Sequence, residues 1–495
     1  MPPHSRKSER STRQRRAAAT VADGGGFEHP LAARYASAAM VQLWTPRTRI
    51  LTWRRVWLAL AEAQHELGLP VTAAQVRALR RGLESIDFAA AAEYERRLRH
   101  DVMAHIHAFG DAAPAARGII HLGATSMDIV DNADLLLMRS ALDLLRRRLL
   151  SVIGVLGDFC ERYADLPTLG YTHLQPAQLT TVGKRGCLWL ADLVADFERL
   201  TALQQGLKCR GLRGATGTQA SFLKLLGSAA KVRRLERLFA RKLGFADCYP
   251  VSGQTYSRRV DVEILGELAT FAAGTQKICN DLRLLALLKE IDEPFERAQV
   301  GSSAMPYKRN PMRCERATGL ARYLLSLSTS PLMTLAAQAF ERTLDDSSNK
   351  RLVMPEAFLA ADALSVLLYN ILSGLVVYPA VIARHVAAEL PFIASEDVLM
   401  AAVAAGGDRQ QLHERIRRHA QAAANMIKQG GSNNDLLERL RTDPAFAGIR
   451  WDETLDPRRY VGLAVDQTHM YLRQHVRPLL HKYRGFALAG EDLRV

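Results

Sequence analysis

The sequence predicts an all-α protein of three helical domains with a central long-helix bundle. Three observations carry that prediction. Apolar residues recur every three or four positions over long stretches, strand signals are nearly absent, and 495 residues exceed what one hydrophobic core supports. Hydrophobic content of 48% against 24% charged residues is that of a folded chain, not a disordered one.

Residues 1–26 read as a disordered basic tail ending at Gly24-Gly25-Gly26. Its arginines accompany neither an apolar h-region nor an amphipathic face, which argues against a secretory or mitochondrial leader. Residues 27–125 form a predicted N-terminal helical domain. Val56 and Leu60 stand at helical spacing between positions 53 and 67, and Gly68-Leu69-Pro70 stops that helix. Further helical patterns cover 73–83 and, unbroken, 88–109.

Residues 126–378 are the predicted central bundle. Its clearest helix, 133–164, carries Met138, Leu142, Leu145, Leu149, Ile153, Leu156 and Phe159 on one face. A helix of that length spans about 45 Å, which suits a bundle. Similar patterns cover 180–207, 227–243, 260–288, 316–329 and 355–378. The uncharged run 363–383 is interrupted by Asn370, Ser373, Gly374 and Pro379, and reads as a core helix rather than a membrane span. Residues 379–495, broken at Gly406-Gly407, Gly430-Gly431 and Pro457, form a C-terminal helical domain. No Asn-Gly or Asp-Gly hairpin turn is found between alternating apolar residues.

Six cysteines, none in a CxxC pair, read as free thiols of a reducing, cytoplasmic compartment. Of the net charge of +15, the first 16 residues hold six cations and one carboxylate, so a surplus of about +10 remains. It fits attraction of an anionic substrate or nucleic acid, or a solvated basic surface. No recognised nucleic-acid motif is present, and the arginines suit phosphate monoesters better.

The most chemically loaded stretch is 301–316, Gly-Ser-Ser-Ala-Met-Pro-Tyr-Lys-Arg-Asn-Pro-Met-Arg-Cys-Glu-Arg. Pro306 and Pro311 make it a loop. Its hydroxyls, Lys308 and Glu315 bring a nucleophile or base, a cation and an orienting acid into about sixteen positions. Arg99-His100-Asp101 precedes His107, but seven residues of helix separate the two histidines by about 10.5 Å, too far for one metal ion. His121-Leu-Gly-Ala-Thr125-Ser126 precedes a helix and reads either as a carboxylate site or as an ordinary cap. His173 sits in a Pro-containing turn between two long helices, a residue type suited to proton transfer. Gln254 lies in a polar break at 252–256. Arg342, Ser347 and Arg351 suggest a phosphate pocket, with a salt-bridged surface helix as the alternative.

The string Ser302-Ser303-x-Met305-Pro306-x-Lys308-x-Asn310-Pro311 resembles the signature of the fumarase/aspartase superfamily. With Tyr307-Lys308-Arg309 and Arg313-x-Glu315-Arg316 it is similar, more narrowly, to the adenylosuccinate lyase family of the animal type. The likeness runs from about residue 31 to 483. It implies the superfamily's helical fold and elimination of fumarate from adenylosuccinate and from SAICAR. It implies Ser302 as general base, His173 as general acid, Lys308 stabilising negative charge and Glu315 orienting His173. Substrate contacts implied are Arg99, His100, Asp101, His121, Thr125, Ser126, Gln254 and Arg316, with Arg34, Tyr35, Arg342, Ser347 and Arg351 at the ribose phosphate end. No metal or organic cofactor is expected. The expected assembly is a homotetramer whose sites are shared between subunits, acting on small-molecule nucleotides, with no membrane or nucleic-acid partner. Argininosuccinate lyase is the nearest rival, and Arg342, Ser347 and Arg351 argue against it. A catalytically silent structural protein is opposed by the presence of Ser302, Lys308, Glu315 and His173.

Overall fold

The computed structural model describes residues 27–296, 299–300, 303–305, 307–431, 433–447, 449, 451 and 456–488. The 1–26 tail and Ser302 therefore lie outside the described residues.

Helix α1 spans Pro46–Glu66. The Thr45 hydroxyl accepts from the Thr48 N–H and Pro46 supplies a preset φ, so the start is capped as its sequence suggests. Trp53, Val56, Trp57 and Leu60 are buried on its inner face. The pattern expected as one helix over 88–109 is two, α2 (Phe88–Leu98) and α3 (Asp101–Ala112). Arg99 adopts a left-handed φ of 54° and the His100 side chain caps α3, accepting from Met103. Spacing alone misses such a break because the apolar phase resumes beyond it.

Helix α4, Ser126–Arg162, has 37 residues and so spans about 55 Å. Leu142 and Leu156 on it are fully buried; cutting one back to Ala costs about 2–5 kcal/mol in such a core. The turn expected after it is an antiparallel hairpin, β1 (Pro167–Thr172) and β2 (Gln175–Thr181). Helices α5 (Val182–Gly206) and α6 (Arg259–Leu287) follow. Helix α7 (Met312–Leu327) starts inside the stretch expected to be loop, because only Pro306 and Pro311 forbid helix there. Helix α8 is Thr329–Ala337. Helix α9, Asp345–Ser373, begins ten residues before the expected position 355 and carries Pro355 inside it. Pro355 cannot donate to the carbonyl of Arg351 four residues back, a local cost that packing overrides. Helix α9 is long and apolar enough to cross a bilayer, yet 78% of its apolar window is buried within the fold.

Cross-links give the bundle its directions. Lys350 meets Asp131 and Asp134 near the starts of α9 and α4, and Arg148 meets Asp362 further along, so the two helices run parallel. The Arg146 Nε donates to Thr201, and Trp189 Nε1 donates to Asp281, so α5 runs against both α4 and α6. Asn349 bonds Ser330, and Tyr323 bonds Glu356, so α7 and α8 return along α9. One end of the bundle thus gathers the starts of α4, α6 and α9. The other gathers their ends, the starts of α5 and α7, and the hairpin. Helix α10 (Pro379–Ile393) packs on that hairpin. Residues from Val398 to Phe446 build a separate small apolar cluster around helix α11 (Arg409–Gly430), whereas Leu472 and Val476 rejoin the main core.

Candidate active site

At the α4-start end, Thr125 N–H donates to Asp128 at 2.8 Å. The other oxygen of Asp128 accepts from the backbone of Arg213 at 2.7 Å and Gly214 at 3.2 Å, and pairs with the buried Arg210 guanidinium. This fully buried carboxylate fixes the turn that presents Thr125 and Ser126. Ser126 Oγ lies 3.4 Å from His100 Nε2. His121 takes a left-handed φ of 69°, and its Nδ1 accepts the Trp57 indole N–H at 3.1 Å. Burial, with His100 nearby, pushes its pKa down to about 4. The ring is therefore neutral at pH 7, and with Nδ1 accepting, its one proton sits on Nε2 as a donor.

Beside this turn, Arg342, Ser347 and Arg351 line one pocket of about 160 Å³. Arg351 pairs with Asp101 at 3.3 Å. Arg342 donates to the Gln254 Oε1 at 3.0 Å, while the Gln254 Nε2 donates to the Ala215 carbonyl at 3.0 Å. Beneath them Lys350 bridges Asp134 at 2.7 Å and Asp131 at 3.1 Å, and Arg258 joins Asp131 to Asp346. Burial would drive Asp131 up and Lys350 down. Opposite charges outweigh it, Arg258 and Lys350 holding Asp131 below its ordinary value and Asp134 and Asp131 holding Lys350 above its own.

Arg49 also lines this pocket, and sequence reasoning missed it. Its guanidinium lies 5.7 Å from the Trp53 ring centre, its Nε is buried without a hydrogen-bond partner, and it forms no ion pair among the described residues. Burial and the neighbouring Arg351 depress its pKa. Two arginines held side by side with an unpaired donor fit a dianion such as a phosphate monoester. Lys350, also missed, was adjacent to Arg351 in the sequence. Arg49 left no signal, since it sits in an ordinary amphipathic helix.

Arg34 and Tyr35 end a single helical turn, Leu31–Tyr35, that packs on α9. Ser37 N–H there donates to Asp362 at 2.6 Å, eleven residues beyond Arg351. The structure does not bring this exposed Arg34 and half-buried Tyr35 into the lining of the Arg342 pocket. Arg99 is exposed at the α2–α3 break.

At the opposite end, His173 sits at the exposed hairpin tip with φ 53°, followed by Leu174 at 58°. Two successive left-handed residues make the two-residue turn that matches strand twist, normally Asn-Gly. His-Leu carries no such signature, which is why the hairpin was missed. It costs about 1–2 kcal/mol per residue, strain of the kind kept where geometry matters. Lys308 is exposed, its N–H donating to the Met305 carbonyl at 3.0 Å. Glu315 is exposed in the first turn of α7, and Arg316 half-buried beside it. Glu293 caps that helix from a distance, accepting from the N–H groups of Arg313 and Cys314 at 2.9 Å each. Among the described residues no hydrogen bond joins Glu315 to His173.

The two ends cannot meet in one chain. Ser126 starts the 37-residue α4 and the hairpin follows its end. A hairpin strand reaches about 20 Å, so His173 stays at least about 30 Å from Ser126 even if it folds straight back. Among the described residues no group of three or more His, Cys, Asp or Glu could hold a metal ion.

Comparison with known proteins agrees over nearly the whole chain. A family described as Lyase matches residues 55–324, and one described as Adenylosuccinate lyase C-terminus matches 391–470. Adenylosuccinate lyase of Schizosaccharomyces pombe is 49% identical over 94% of this chain and 97% of its own. That of Saccharomyces cerevisiae is 48% identical over 94% and 98%, and that of Schistosoma mansoni 45% over 95% and 99%. In fold the chain resembles a 3-carboxy-cis,cis-muconate lactonizing enzyme from Pseudomonas putida, with TM-score 0.80 and 24% identity over 90% of this chain and 99% of that one. A fumarate lyase from a Mesorhizobium species matches with TM-score 0.76 and 25% identity over 89% and 99%.

Proposed function

The chain belongs to the adenylosuccinate lyase family, and on that premise we propose that it cleaves adenylosuccinate to AMP and fumarate, and SAICAR to AICAR and fumarate. The observation that carries the nucleotide assignment is the pocket where Arg342, Arg351, Lys350 and Arg49 converge with Ser347. A phosphate monoester suits that cation set. An amino-acid substrate such as argininosuccinate carries no phosphate for it.

The elimination removes a weakly acidic C–H beside a carboxylate and expels a nitrogen that leaves poorly as an anion. A base and an acid must act across one bond. Ser302 takes the Cβ proton, its alkoxide and the carbanionic intermediate being stabilised by Lys308 and backbone N–H groups of the loop. His173 protonates the departing nitrogen, and Glu315 fixes its tautomer. Thr125 and Ser126, with the neutral His121 as an Nε2–H donor, hold a succinyl carboxylate near a helix start. His100, Asp101, Gln254 and Arg316 orient the rest. No metal or organic cofactor enters this scheme.

The site is assembled in a cytoplasmic homotetramer. The separation of His173 from Ser126 by at least about 30 Å supports this, because acid and carboxylate turn must then come from different chains. The purified protein should release fumarate and AMP from adenylosuccinate and nothing from argininosuccinate in a spectrophotometric assay. Fumarate from argininosuccinate alone, or from neither compound, would overturn the reading.

A further inference from the structure

The hairpin that carries His173 is not a regular ladder. Its register slips between the pairs Leu169–Leu179 and Tyr171–Pro176, so Gly170 of β1 stands opposite both Ala177 and Gln178 of β2. That is a bulge, and it needs the glycine, because a Cβ at Gly170 would come within 2.7 Å of the Gln178 carbonyl oxygen. A bulge bends its strand, raises the local twist and re-aims the side chains beyond it. The direction of the tip is therefore set by whatever holds the bulge. Arg185, near the start of α5, does so through its Nη2, which donates to the Leu169 carbonyl.

The charge that balances Arg185 is Glu290, a buried carboxylate just past the end of α6. Tyr378 N–H donates to the Glu290 backbone carbonyl at 2.9 Å, and the next two residues pair with Val376–Val377, so Glu290 sits on a fixed backbone. Its Oε1 lies 2.8 Å from Nδ1 of His385 on α10, the helix that packs on both hairpin strands. Burial lowers the Arg185 pKa, with Glu290 the main charge opposing it, and burial with Glu290 raises that of Tyr171 on β1. The cluster is nevertheless not matched for stability, since Arg185 Nη1 and Glu290 Oε2 are both buried without a hydrogen-bond partner. A buried ionic cluster with unmet donors and acceptors is less stabilising than an apolar core, and such a cost is kept where geometry matters.

We propose that Arg185 and Glu290, with His385, are positioning residues for the general acid. They hold the bulge, and through it the strained His173-Leu174 tip, in the orientation that presents His173 to the shared site. The inference rests on the reading of His173 as the proton donor. His173 lies four residues beyond the Leu169 carbonyl, so a tilt at the bulge is carried to its ring. A misplacement of about 1 Å can lower a rate about a hundredfold. The segment that starts at Glu290 also runs on to Glu293, the cap of α7, so one cluster ties the hairpin to the helix that carries Glu315.

The test is kinetic and uses the full-length enzyme. Glu290→Gln should lower kcat on adenylosuccinate about tenfold to a hundredfold, with KM and the inhibition constant of AMP little changed. Arg185→Met should do the same, and Arg185→Lys, which restores the cation, should recover part of the loss. The sharpest comparison places Glu290→Gln in a His173→Ala background, where it should cost nothing more because the group it positions is gone. A merely structural role would lower the rate in both backgrounds. Equal losses in the two, or wild-type kcat in Glu290→Gln and Arg185→Met, would overturn the proposal. His385→Gln, at the half-buried rim of the cluster, supplies the same comparison if Glu290→Gln does not fold. Full kcat in His173→Ala alone would overturn the reading of His173, and the proposal with it.

Discussion

His173 stands exposed on a strained turn with no hydrogen bond to its ring among the described residues, while His121 is half-buried, neutral and pinned by Trp57. The proposed roles differ accordingly, His173 to move a proton and His121 to hold an anion. His173→Ala should lower kcat by about 10²–10⁴ with KM little changed, the usual worth of a general acid. Steady-state kinetics on adenylosuccinate check this, and an unaltered kcat would remove His173 from the chemistry. Arg49→Ala should raise KM about tenfold or more and spare kcat, since a hydrogen bond to a charged group contributes about 1.5–3 kcal/mol. A changed kcat with constant KM would contradict its place on the phosphate. Lys308 and Glu315 stood out in the sequence because their spacing resembles a known signature, and their proposed roles rest on that resemblance. Arg49 and Lys350 did not, because their meaning arises only when α1 and α9 pack.

The helices were legible wherever apolar spacing and helix stops agreed, as in α4 and α5. Breaks that keep the helical phase, as at Arg99, and turns made of unusual residues, as at His173-Leu174, were not. The helix that carries Glu315 depends on a residue outside it. Glu293 supplies both oxygens to the first turn of α7 from the preceding loop, and no sequence pattern announces a cap that distant. Glu293→Ala leaves two buried N–H groups unpaired, a loss of about 1–3 kcal/mol each. The variant should melt lower and lose kcat, and Glu293→Gln, which keeps one carboxyl-type oxygen, should recover part of both. Thermal melts and rates on the two variants check the order.

At the scale of the whole molecule, one buried acid makes stability fall with pH. Burial, reinforced by Asp192 and Glu267, pushes the Asp196 carboxyl up to about 7, and its Oδ2 has no partner. Because the folded value is raised, its stabilising protonation is fully present below the unfolded value near 4 and is lost as pH rises through about 7. Wild type should therefore lose Tm between pH 5 and 8 relative to Asp196→Asn, with the two closest at the acid end. Parallel melting curves across that range would contradict the assignment. The all-α bundle was legible from composition and periodicity, but the separation of the two site halves by the length of α4 needed the packed structure.

That separation makes the shared site the central claim, and mixing inactive variants tests it most directly. His173→Ala carries a lesion at one end of the bundle, and Arg342→Ala/Arg351→Ala carries lesions at the other. Dissociated, mixed in equal amounts and reassembled, they should regain up to about a quarter of wild-type activity, because each half of a site is intact independently in half of the chains. No recovery in a mixture shown by mass to contain hybrid oligomers would mean that each site is built within one chain.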